Sequence, residues 1–149
     1  MIHLSQRDPR WAQTKLGNSN LTVGRYGCTT TCISMLSDYF GCFKTPLELA
    51  TDPKHYTSDG LVLWPNFKFS RMAFEKRIRG RNDVEIMASL KDPNKAVILQ
   101  VSHGAHWIVA LHKTLFGNDY VSLDPWTGRK CRAVGNYFNI TGSAHFVKI

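Results

Sequence analysis

The sequence predicts an α+β fold, with a buried N-terminal helix packed on a C-terminal antiparallel sheet. Apolar residues recur at helical spacing between Cys32 and Phe43. Short apolar runs divided by turn residues fill the last third. No linker, repeat or low-complexity tract divides the chain, so residues 1–149 read as one domain. Helix first and strands later predict helices segregated on one side of the sheet.

Residues 1–27 read as irregular, because Asp8-Pro9, Gly17-Asn18, Gly24 and Gly27 are turn formers. Cys32, Met35, Leu36, Tyr39, Phe40 and Phe43 then form one face of an amphipathic helix placed at about 29–40, ended by Gly41. Thr45-Pro46-Leu47-Glu48 has the form of a capping box with proline at the first helical position, which predicts a short helix at 46–50. Residues 51–60 read as a loop, and 66–79 fit a strand or a helix in part. Asn82-Asp83 caps a short helix at about 83–90. Ala96 to Val101 is a central strand, His106 to His112 a second and Asp119 to Asp124 a third, with Gly117-Asn118 turning the hairpin between the last two. A further strand is expected at about 144–148.

Hydrophobic residues make up 43% and charged residues 20%, a globular balance that excludes general disorder. No apolar run approaches the ~18 residues of a membrane span. The start, Met1-Ile2-His3-Leu4-Ser5-Gln6, has no basic region followed by an apolar stretch, so no signal peptide is expected. Nineteen Lys and Arg against eleven Asp and Glu give a net charge of +8. The one dense cluster is Lys76, Arg77, Arg79 and Arg81, and no nucleic-acid motif accompanies it. The scattered cations fit two readings, plain solubility or attraction to anionic cell-envelope polymers, with no specific nucleic acid. The four cysteines, Cys28, Cys32, Cys42 and Cys131, read as free thiols. Cys28 and Cys32 lie one helical turn apart without a second ligand pair, and His103 and His106 are poorly spaced for one face of a strand. No metal or other cofactor is expected.

Cys28 follows Tyr26-Gly27 and stands where the buried helix opens. Unpaired amides and the positive end of the helix dipole favour a thiolate there, and a thiolate is the nucleophile. Gly27 leaves room for close approach of another segment. A cysteine nucleophile needs an adjacent base. His106 begins a strand after the Gly104-Ala105 break, at the rim of the sheet. His3, His55, His103, His112 and His145 are its competitors. Asp124 ends the next strand, and folding the hairpin about Phe116-Gly117 brings it nearly opposite residues 106–108. It is thus a candidate to orient the histidine. The amide of Cys28 can bind an oxyanion, and Gln6, Gln13 or Gln100 can supply a second donor.

Several stretches together resemble one family. They are Gln6-x-Asp8-Pro9-Arg10-Trp11-Ala12, Leu16-Gly17, Tyr26-Gly27-Cys28, Thr31, Met35-Leu36 and Tyr39-Phe40-Gly41. Val97-Ile98-Leu99, His106-Trp107-Ile108-Val109 and Tyr120-Val121-x-Leu123-Asp124-Pro125-x-x-Gly128 follow in order. The set resembles the papain-like, double-glycine (bacteriocin-leader) peptidase-like cysteine peptidases. The resemblance implies a papain-like fold with Cys28 as nucleophile, His106 as base, Asp124 as orienting group and Gln6 as oxyanion donor. Two departures stand out. Thr29 follows the cysteine where many relatives have glycine, and Gln6 lies 22 residues before Cys28, further than in many members.

A small basic cysteine peptidase of this kind suits a monomeric phage-type lysin, cytoplasmic until released or carried in a virion. It would act on peptidoglycan stem or cross-bridge peptides. Leader-peptide or host-protein processing, acyl transfer, and an inactive virion or binding module on the same fold are the alternatives.

Overall fold

A computed structural model describes residues 1–149. Six antiparallel strands form one sheet in the order β1-β6-β2-β3-β4-β5. They are β1 (Met72–Arg79), β2 (Lys95–Val101), β3 (His106–Lys113), β4 (Tyr120–Asp124), β5 (Arg129–Arg132) and β6 (Ile140–Lys148). Strands β2 to β5 follow one another as a meander, and β6 returns to insert between β1 and β2. The helices are α1 (Val23–Tyr26), α2 (Cys28–Tyr39), α3 (Pro46–Ala50), α4 (Asp83–Lys91) and α5 (Ala133–Tyr137).

The α+β class and the predicted central elements hold. Helix α2 is almost wholly buried and packs against β3. It stops where expected: Gly41 has φ +76°, its amide bonds to Asp38, and the Cys42 amide reaches Ser37, a Schellman closure. Tyr39 and Phe43 are about 40% exposed, so the helical spacing overstates the buried face at its end. Beyond Gly41 the chain has left the helix, and Phe43 cannot continue its stripe. The capping box before α3 is closed by both of its hydrogen bonds, Thr45 N to Glu48 Oε2 at 2.8 Å and Glu48 N to Thr45 Oγ1 at 3.1 Å. Asn82 caps α4 through Glu85 N.

The helices are not segregated on one side of the sheet. Ile98, Trp107, Val109, Leu123 and Phe146 face α2, whereas Val97, Leu99, Ile108, Ala110 and Tyr120 pack with Ile86 of α4 and Ala133 of α5. The physical reason lies in β2 itself: an unbroken apolar run buries side chains on both faces, and each face needs a cover. The ambiguous stretch 66–79 resolves into β1, preceded by a 3₁₀ turn at Trp64–Asn66. The irregular opening contains α1 and a bridge between Lys15 and Thr22. The loop at 51–60 contains a 3₁₀ turn at Pro53–His55.

No helix is long and apolar enough to cross a membrane. The basic cluster is largely engaged within the fold. Lys76 pairs with Glu85, Arg81 with Asp83, and Arg77 lies over Trp107 while donating to Gln100.

Candidate active site

Cys28 is the first residue of α2 and is half-buried. Gly27 before it is required by the preceding turn, since a Cβ there would lie 2.6 Å from the Val23 carbonyl oxygen. The glycine therefore lets α1 run directly into α2; the close neighbour is Val23, not a segment arriving at the sulfur. No side chain caps α2. The first amide to find a carbonyl four residues back is that of Thr31, on Gly27, which leaves the Cys28 end of the helix rich in unpaired N–H groups.

His106 opens β3 after a tight 3₁₀ turn in which Ser102 and His103 both take φ near +54°. Pairing of Val109 with Leu123 carries on to set Asp124 opposite Ile108, two residues from His106 and on the same face. This diagonal relation lets the side chains meet. His106 Nε2 lies 2.9 Å from Asp124 Oδ1. The Cys28 thiol is near enough to the ring to favour its charged form. Nε2 is taken by Asp124, and Nδ1 has no hydrogen-bond partner.

The electrostatics follow from these neighbours. Burial pulls the His106 pKa down. The hydrogen bond to Asp124, the nearby Cys28 thiol and the Asp124 charge outweigh it and raise the pKa to about 9. Burial pushes the Asp124 carboxyl upward, but hydrogen bonds from His106, Tyr137 and the Trp126 amide prevail and hold it below its ordinary value. Asp124 is 3% exposed, so its charge is screened little by solvent.

Sequence reasoning missed two of these Asp124 partners. Tyr137, at the end of α5, donates its hydroxyl to Asp124 Oδ2, and its ring centre lies 4.8 Å from that of His106. The Trp126 amide donates to Asp124 Oδ1 at 2.9 Å. The Asp124-Pro125-Trp126-Thr127-Gly128 turn contained the second signal; Tyr137 had none, because no apolar period marks its short helix.

Gln6 is 1% exposed and close to α1. Its Nε2 donates to the Gly24 carbonyl at 3.2 Å and leans on that of Val23 at 3.5 Å, while Oε1 is buried without a partner. Binding an oxyanion would require the longer of these contacts to be given up. Gln100 is committed elsewhere, accepting from Arg77 at 2.7 Å and donating to Gly104 at 3.2 Å. Gln13 is exposed in a separate groove.

The other histidines have different surroundings. His145 is enclosed between Ser89 and Ser143, His55 is stacked on Phe67, His103 meets Asn139, and His112 and His3 are exposed. Cys32 is fully buried, its thiol donating to the Trp107 carbonyl at 3.5 Å. Burial, then the charges of Cys28 and Asp124, push its pKa well up. All four cysteines are free.

Cys28 also borders a groove of about 240 Å³ lined by Leu16, Leu21, Tyr26, Leu61 and Trp107. Comparison with protein-family models, curated proteins and solved structures finds no match for this chain.

Proposed function

We propose that the chain is a cysteine peptidase or amidase that cleaves amide bonds through Cys28, His106 and Asp124, on a reduced papain-like fold. The observation that supports this most is the His106–Asp124 hydrogen bond at 2.9 Å, on a ring that also feels the Cys28 thiol at an uncapped helix start.

The steps balance as an acyl transfer. The Cys28 thiolate attacks the amide carbonyl carbon, and the oxyanion is met by the Cys28 amide and the Gln6 amide group. The C–N bond then breaks, and the proton of the His106 imidazolium passes to the leaving nitrogen. Water attacks the resulting thioester, His106 takes its proton, and the acid leaves as the thiol is regenerated. Asp124 keeps the ring oriented and stabilises its charged form.

The substrate proposal is peptidoglycan stem or cross-bridge peptide, with the protein acting as a phage-type lysin. The net charge of +8 supports it, since basic proteins concentrate on anionic walls. The apolar groove beside Cys28 favours a second substrate, a leader or host polypeptide with a bulky apolar side chain near the scissile bond. Purified walls and a panel of such peptides, each treated with parent and Cys28→Ala, test both. New amine ends by mass spectrometry from the parent alone support the peptidase. Equal products from parent and Cys28→Ala contradict it.

A further inference from the structure

A second groove, of about 620 Å³, is bordered by Arg7 and by Gly24, whose carbonyl accepts from Gln6, and holds chemistry that the proposed mechanism does not use. Arg7, Gln13, Thr22, Arg25 and Trp126 line it, and no acidic residue does. It is joined to the site through Asp124. The Trp126 amide donates to Asp124 Oδ1, and Arg7 Nε donates to the Trp126 carbonyl at 2.9 Å. The backbone N–H of Gln6 fixes the same turn by donating to the Pro125 carbonyl at 2.7 Å.

Arg7 is oriented on two sides. Its guanidinium centre lies 4.5 Å above the Trp126 ring, and Nε is taken by the Trp126 carbonyl. The terminal nitrogens keep their donors free. Arg25 lies over Tyr26 at 5.9 Å and, like Arg7, pairs with no carboxylate. The nearby Asp8 is already taken by Arg10, through Nε at 3.1 Å and Nη2 at 2.8 Å. Two cations without counter-charges flank one groove, and one of them is a pre-set planar fork. That arrangement matches a carboxylate.

We propose that this groove binds a carboxylate of the substrate, held by Arg7 and Arg25 beside Trp126, so that peptides with an acidic residue next to the scissile bond are preferred. The inference rests on the cysteine-peptidase reading and narrows its substrate to acidic peptides. A carboxylate there completes the hydrogen bonding of the Arg7 fork, which a neutral amide with its own N–H donors does less well.

The test separates binding from cleavage. Matched peptides carrying Glu or Gln on either side of the scissile bond are titrated against Cys28→Ala, in which no turnover intervenes. Their cleavage by the parent is measured alongside. The expected result is about 5- to 10-fold tighter binding of a Glu peptide at low salt, shrinking as salt is raised. Arg7→Ala and Arg25→Ala each bring the Glu-to-Gln ratio toward one, and Arg25→Glu takes it below one. Equal or absent binding of the Glu and Gln peptides overturns the proposal, as does a preference that survives both alanine variants. Preferential binding without cleavage by the parent would sink the peptidase reading and leave the carboxylate site; cleavage without preference would do the reverse.

Discussion

The Tyr137 hydroxyl donates to the Asp124 oxygen that His106 does not use, so one buried carboxylate is held from two elements at once. Asp124 ends β4 and Tyr137 ends α5, and their contact ties the far face of the sheet to the catalytic candidate. Tyr137→Phe keeps the ring beside His106 and removes only the donor. Loss of one hydrogen bond to a buried charge costs about 1–3 kcal/mol. Urea unfolding is expected to show a loss in that range, with a lowered kcat. Unchanged stability and unchanged kcat would mean the contact contributes nothing.

Asp124 is one of the groups that raise His106 to a pKa of about 9. The folded-state pKa lies above the ordinary value of 6.5, so the stabilisation is full below pH 6.5 and is lost as pH rises through about 9. Activity is expected to fall over the same alkaline range, because His106 must carry the proton it gives to the leaving amine. In Asp124→Asn the falling limb of the kcat/KM profile moves to lower pH. NMR titration of the ring checks the assignment, and a limb that stays in place contradicts it.

Cys32 tests whether position on α2 separates the two thiols. Its sulfur is buried and bonded to the Trp107 carbonyl. Cys32→Ala is expected to cost about 1 kcal/mol in urea unfolding while keeping most of the turnover. Loss of turnover with stability intact would place Cys32 in the chemistry.

His145 is expected to weaken the fold in acid. Burial, followed by the charge of Lys76, lowers its pKa to about 4, against the opposing pull of Glu75 and Glu85; Lys95 also lowers it. The unfolded chain takes up this proton near pH 6.5, whereas the folded protein does so only near 4. Stability is therefore lost as pH falls across that interval. Urea midpoints at pH 7 and pH 5 measure the loss, and His145→Gln should flatten it. An equally steep fall in His145→Gln would assign the acid limit to other groups.

The nearness of His106 and Asp124 was readable because a Gly-Asn turn fixes the hairpin register to within a residue or two. The start of α2 was readable because Gly27 precedes a strong apolar period. Tyr137 was not, since Ala133-Val134-Gly135-Asn136-Tyr137 has a glycine at its centre and no helical stripe. Strand β5 was equally silent: Arg129-Lys130-Cys131-Arg132 is mostly charged and holds its place by pairing with β4. The cover on the second face was missed because element order says nothing about which face a helix takes. The apolar run of β2 carried that information.

The proposed chemistry turns on a single sulfur, and alkylation reads its reactivity directly. Parent protein is treated with iodoacetamide near pH 6, and the four cysteines are followed by peptide mapping. Cys42 and Cys131 serve as half-buried controls, with burial and then Asp124 and Asp119 pushing Cys131 up to about 12. The account predicts that Cys28 is modified first and that His106→Ala slows it toward the rate of Cys42. Modification of Cys28 no faster than Cys42, or a rate indifferent to His106→Ala, would contradict it.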